Sequence, residues 1–131
     1  MGGVITAHEA ERLDYLLRGQ GRPWAPQPGD RFTIPGRDLD GVFVLAEMTI
    51  EVEHLPSGPL VKFNGTTEWA LDSIPAAEVL WFPWEHQLRD LLGDRFLSLA
   101  VVDGRFAVTL VDGSTWVADD VESAYVSALL G

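Results

Sequence analysis

Apolar positions along the chain recur with two periods, one helical and one of two residues, and the places where the period changes mark the elements. In residues 6–18, Ala10, Leu13 and Leu17 follow at helical spacing with Leu16 beside them. Such a stripe turns one face of a helix toward a core. Thr6 and Glu9 have the T-x-x-E spacing of a capping box, in which each side chain bonds the other residue's backbone N–H. Residues 22–29, RPWAPQPG, hold three prolines in eight positions. Neither a helix nor an inner strand accepts that density, so extended chain pinned by Trp24 is expected.

Arg31 to Ile34 reads as a short strand, and Val42 to His54 is the longest strand signal. Its second half alternates, with Met48, Ile50 and Val52 on one face and Glu47, Thr49, Glu51 and Glu53 on the other. Alternation of this kind means one face buried and one wet. Leu60 to Phe63 returns antiparallel. Asn64-Gly65 has the chemistry of a two-residue hairpin turn, and Thr66 to Leu71 completes a three-stranded meander. Asp72 to Ala77 reads as loop. Pro83 suits the first turn of a helix near 84–92, with Trp84, Leu88, Leu91 and Leu92 on one face. Strands at 95–102, 105–111 and 114–118, joined by Asp103-Gly104 and Asp112-Gly113, form a second meander. A last helix near 120–130, capped by Asp119 and Glu122, carries Val121, Ala124, Tyr125, Ala128 and Leu129.

The expected fold class is α+β: an antiparallel sheet or partly closed β-barrel built from two three-stranded meanders, with three helices packed on it. The chain has 131 residues, which fits a single domain, 1–131. Within it, 1–21 is an N-terminal helix arm, 22–29 a Pro-rich extended segment and 30–131 the β-rich core.

Charge narrows the function. Nine basic and twenty acidic residues give a net charge of −11, a field that repels nucleic-acid phosphates. It favours a protein partner with a basic surface. There is no cysteine, which excludes disulfides, thiol catalysis and Cys-zinc sites and fits a cytoplasmic protein. No apolar run reaches membrane-spanning length, and the N-terminus lacks the basic and apolar regions of a signal peptide. Neither a G-x-S-x-G nor a phosphate-cradling glycine loop is present. No catalytic set, metal site or cofactor is expected.

Two patches remain as binding candidates. Glu47, Glu51 and Glu53 form an acidic stripe on one strand face, suited to a cation or a basic partner. Asn64, Thr66, Glu68, Trp69 and Asp72, with Trp81 and Trp84 further on, place tryptophan beside carboxylates and amides, a pairing suited to a cation or a partner arginine. Residues 40–85 concentrate eight acids against one base, Lys62. The plain alternatives are a solvated sheet face for the glutamates and a core position for Trp69.

The runs PWAPQPGDRF, FNGTTEWALDSIP and LRDLLGDRF together resemble a group of short, uncharacterised bacterial proteins, some of which bear a pilus-assembly label. The resemblance spans most of residues 20–96 and implies a single-domain protein. It rests on no catalytic motif and transfers no site residues. Pilus-assembly ATPases carry a nucleotide-binding loop, which this chain lacks.

The functional expectation is an acidic, non-enzymatic protein-binding or adaptor domain. One alternative is a small-molecule-binding or hydrolytic barrel-like domain with an aromatic cavity lined by Phe43, Phe63, Trp69 and Trp81. Another is a structural homo-oligomer docking through its last helix.

Overall fold

The computed structural model describes residues 5–34, 43–44, 50–56, 58–63, 73–75 and 78–131, with the backbone alone described at 43, 50–55, 58–63 and 73–75. The class is α+β. The chain groups into two compact units, Leu17–Phe82 and Met1–Leu16 with Pro83–Gly131.

The first helix, α1 (Ala7–Gly19), forms where the stripe predicts it. The capping box is made in full: Thr6 N–H donates to Glu9 Oε1 at 2.9 Å and Glu9 N–H to Thr6 Oγ1 at 3.1 Å. Its end is a left-handed glycine cap. Gly21 has φ +71°, and the N–H groups of Gly21 and Arg22 donate to the carbonyls of Arg18 and Leu17, which satisfies two of the helix's last acceptors.

In the unit Leu17–Phe82 the Pro-rich segment is neither helix nor strand. Buried Trp24 stacks on Phe32 at 6.2 Å between ring centroids. Its indole N–H donates to Asp30 Oδ2 at 2.8 Å, and the Gln27 N–H bonds the same oxygen at 3.0 Å. Asp30 is buried, and two donors on one carboxylate oxygen are what make that burial tolerable. Strand β1 (Arg31–Thr33) pairs antiparallel with β2 (Phe43–Val44) on one side. On its other side lies β6 (Leu80–Trp81), with Phe32 opposite Trp81. Arg31 holds Phe82 twice: its carbonyl accepts the Phe82 N–H at 2.9 Å, and its Nε–H donates to the Phe82 carbonyl at 3.1 Å.

A second sheet in this unit has the order β3 (Ile50–Leu55), β4 (Gly58–Phe63), β5 (Ser73–Pro75). Ser73-Ile74-Pro75, expected as loop, is a strand, with Val61 opposite Ile74 and Leu60 opposite Pro75. Proline lacks an N–H and is tolerated on an edge strand. The local turn signal lost to a pairing partner eleven or more residues away. The expected third strand, Thr66 to Leu71, lies outside the described residues.

The unit Met1–Leu16 with Pro83–Gly131 holds α2 (Glu85–Leu92), a 3-10 turn at Gly93–Arg95, and a sheet of order β7 (Phe96–Val102), β8 (Arg105–Leu110), β9 (Thr115–Ala118), then α3 (Val121–Leu130). Pro83 precedes the N-cap of α2, Trp84, instead of lying in its first turn. The Trp84 N–H is satisfied by Gln87 Oε1 at 2.9 Å. Asp103 and Gly104 have φ +52° and +76°, the two-residue type I′ turn that Asp-Gly predicts. The second Asp-Gly closes differently. Leu110 N–H donates to the Ser114 carbonyl and Gly113 N–H to the Leu110 carbonyl, giving a three-residue loop with Gly113 left-handed at φ +90°.

The cap of α3 is Asp120, not Asp119. Asp120 Oδ1 accepts the Ser123 N–H at 2.8 Å, while Asp119 is drawn off by Arg105 at 2.9 Å. Ser123 Oγ lies 3.2 Å from both Asp120 Oδ2 and Glu9 Oε1, which ties α3 to α1. Glu122, expected to reach back to the cap, is buried instead. The strands therefore fall in three sheets, and no sheet closes on itself among the described residues.

Candidate functional site

Glu51 and Glu53 share one face of β3, and the register sets Glu51 directly opposite Lys62, the chain's sole lysine. His54 falls on the other face, opposite Pro59. Glu47 lies outside the described residues, as do Asn64, Thr66, Glu68, Trp69 and Asp72.

Trp81 is half-buried on β6, and its Nε1 is buried with no hydrogen-bond partner among the described residues. Trp84 is half-buried at the start of α2. The two belong to different units. Among the described residues no three His, Asp or Glu side chains gather as a metal site. None of the described helices is long and apolar enough to cross a membrane.

The most buried polar chemistry lies between α2, α3 and β7. The Tyr125 hydroxyl is fully buried and has no hydrogen-bond partner among the described residues. Burial pushes its pKa above the ordinary value near 10; Arg89 draws it down, and Glu85 and Glu122 push it up. Arg89 carries its guanidinium 4.1 Å over the Phe96 ring, and Phe96 meets the Tyr125 ring at 5.9 Å. Among the described residues nothing pairs with the hydroxyl, and the contact of the Phe96 and Tyr125 rings joins β7 to α3.

The feature that faces outward is β7. Cross-strand partners share a face, so the rows Leu99–Val108–Trp116 and Val101–Phe106–Ala118 lie on one side of the sheet. Phe96, opposite Leu110, joins that side and contacts Tyr125 of α3. The other side carries Ser98–Thr109–Thr115 and Ala100–Ala107–Val117, with the two threonine hydroxyls 3.1 Å apart. Burial fades across the core rows toward the edge. Val108 is buried and Leu99 half-buried; Phe106 is half-buried and Val101 is 68% exposed. Leu97 and Val102 are 60% and 51% exposed. β7 pairs with β8 alone among the described strands.

Seven residues of uncharged strand, FLSLAVV, thus form an open sheet edge. Soluble proteins usually blunt such an edge with charge, proline or a cover. Here a bulge between Phe96 and Ser98 twists one end, and no described strand pairs with the rest. The sequence identifies the strand but not its position at the edge. The available signal was a charge-free run of seven in a chain that is 22% charged.

The last helix does not offer the docking face expected of it. Val121, Ala124, Tyr125, Val126, Ala128 and Leu129 are buried within the chain itself. Comparison with known proteins adds no relative: no protein-family model matches the sequence, and no curated protein or solved structure is significantly similar to it.

Proposed function

We propose that the chain is an acidic, non-enzymatic protein-binding domain, an adaptor, whose docking element is the open edge of β7. The observation that carries this is the exposure of Leu97, Val101 and Val102 on a seven-residue strand with no charge and a single neighbour among the described strands. An added strand gains main-chain hydrogen bonds for affinity and side-chain contacts for specificity. The net charge of −11 steers basic partners toward the domain, and steering acts on the rate of encounter more than on final affinity.

The test is capture of partners on the immobilised chain from a lysate of its source, with two variants beside the wild type. Val101→Lys places a charge on the edge at an exposed position. The triple change Glu47→Lys, Glu51→Lys, Glu53→Lys reverses the acidic stripe. Loss of a stoichiometric partner with V101K and its retention by the triple variant support the edge. The reverse result moves the docking surface to the stripe, and indifference to both removes the adaptor reading.

A further inference from the structure

Both turns of the β7–β8–β9 sheet hold the same three residues, Val102-Asp103-Gly104 and Val111-Asp112-Gly113. Aspartate before glycine is open to a rearrangement that needs no enzyme: the glycine nitrogen attacks the aspartyl Cγ, and glycine puts no side chain in the way. In a folded chain the carboxyl and the next N–H must be free to meet, and the backbone must reach the shape of the ring that forms. The two turns differ on both counts.

At Asp112 the carboxylate accepts the Ser114 N–H at 2.8 Å and the Ser114 hydroxyl at 2.6 Å. The Gly113 N–H donates to the Leu110 carbonyl at 2.9 Å. Both reacting groups are therefore held. The Ser114 bonds also favour the ionised carboxyl, the unreactive form, because one carboxyl oxygen must leave as water. Asp103 and Gly104 are exposed, and among the described residues neither the Asp103 carboxyl nor the Gly104 N–H has a hydrogen-bond partner. The Asp103 backbone also lies close to the ring's shape. A five-membered ring through Cα, C and the next nitrogen brings Cβ into line with that nitrogen, which sets ψ of an L-residue at about −120°; with φ at about +60° this is the first central position of a type II′ turn. Asp103 already has φ +52°. A flip of the central peptide converts its type I′ turn to type II′. Both types suit a two-residue hairpin, and Gly104, on the far side of the flip, accepts φ of either sign. Asp112 does not share this φ: Asp103 is the one non-glycine residue with positive φ among the described residues.

We infer that Asp103 is a site of spontaneous isomerisation to isoaspartate and that Asp112 is shielded from it. The Gly104 nitrogen bonds Asp103 Cγ. The carboxyl's hydroxyl leaves as water with the amide proton, and a succinimide closes. A second water then adds to the main-chain carbonyl carbon of Asp103 and breaks its bond to the Gly104 nitrogen. The chain now runs through Cγ, and a free α-carboxylate stands beside it. Water leaves and water enters, and nothing is oxidised or reduced. The product carries an extra methylene in the backbone of the turn that joins β7 to β8, next to the Val102–Arg105 pair. The modification thus acts on the hairpin whose edge is proposed to dock, but it is independent of that role.

The full chain held for weeks at neutral pH and body temperature, then digested with trypsin, tests this. Cleavage after Lys62, Arg89, Arg95 and Arg105 puts Asp103 on peptide 96–105 and Asp112 on peptide 106–131. Asn64-Gly65, outside the described residues, falls on peptide 63–89 and does not interfere. Isoaspartate appears as a second species of equal mass and different elution, and electron-transfer fragmentation assigns its position. A sample unfolded in guanidinium chloride is the reference, because there the shared Val-Asp-Gly sequence alone sets the two rates.

In the folded chain Asp103 converts about tenfold or more faster than Asp112, the factor that releasing hydrogen bonds to a charged carboxyl is worth. In the unfolded reference the two convert at similar rates. Equal rates in the folded chain overturn the inference, as does a folded chain in which Asp112 leads. Conversion of Asp103 in the unfolded reference alone overturns it too, because the turn would then protect the site it is inferred to expose.

Discussion

Replacing Tyr125 by phenylalanine should stabilise the protein. A buried tyrosine usually loses stability on this change because its hydroxyl is bonded, but Tyr125 is fully buried and its hydroxyl has no partner among the described residues. An unpaired buried polar group costs about 1–3 kcal/mol. Removing the oxygen leaves a void of roughly 10 Å³, which costs about 0.2 kcal/mol at the usual cavity coefficient. The balance favours Y125F by about 1 kcal/mol or more, a rise of roughly 3–5 °C in the thermal midpoint for a domain of this size. The alkaline limb gives a second readout. The folded pKa is raised above the unfolded value near 10, chiefly by burial. As pH rises, the unfolded chain therefore gives up this proton first. The stabilisation is complete below about pH 10 and is lost as pH climbs through the folded value. Phenylalanine has no such proton, so Y125F flattens that slope. Urea unfolding followed by circular dichroism, at neutral and alkaline pH, measures both effects. Tyr15→Phe, at a position 84% exposed, serves as the control and should change little. A loss of about 1 kcal/mol or more in Y125F at neutral pH would show a bonded hydroxyl and refute the reasoning.

Two further outcomes follow from hydrogen bonds described above. Asp30→Ala strips the acceptor from the Trp24 indole and the Gln27 N–H and should cost about 2–4 kcal/mol in urea unfolding. Combined with Trp24→Phe, the loss should be less than additive, because the two share one bond. At Asp112, the hydroxyl and N–H of Ser114 hold the carboxyl below its ordinary value near 3.8. Ser114→Ala should move that titration upward in an NMR pH series. A depressed carboxyl stabilises above the unfolded pKa and loses that contribution as pH falls through the folded one, so the variant should also show a flatter acid limb below about pH 4.

The legible parts of the fold were those whose cause is local. The T-x-x-E box, the Asp103-Gly104 turn and the Ala10–Leu13–Leu17 stripe each act within a few residues, and each stands where it was expected. Two misread features had a distant competitor. Ser73-Ile74-Pro75 has turn chemistry, yet β4 recruits it. Asp119 and Asp120 are equally fit to cap α3, and Arg105, fourteen residues back, takes Asp119. Asp112-Gly113 looks like Asp103-Gly104, but Ser114 holds the Asp112 side chain and the loop widens by one residue. Glu122 was read as a capping side chain from its D-x-x-E spacing with Asp119, yet it is buried. In the fold only Ser123, Ser127 and Leu130 of that helix keep partial exposure. The candidate site follows the same logic. Alternation placed Glu51 and Glu53 on one face correctly. That Lys62 stands opposite Glu51 depends on register, and that β7 is an edge depends on which strands do not pair; neither is written in a local pattern.

The bond between Ser123 and Glu9 joins residues 114 positions apart, and this separation has a consequence for synthesis. At about 5–20 residues per second, the ribosome adds Glu9 roughly 6–23 s before the α3 residue that ties to it exists. Through that interval Glu9 has no Ser123 hydroxyl to accept from. A nascent chain stalled before residue 120 should therefore carry the capping box of α1 without its tie to α3, and completion of α3 should be the event that fixes Glu9 in its final place.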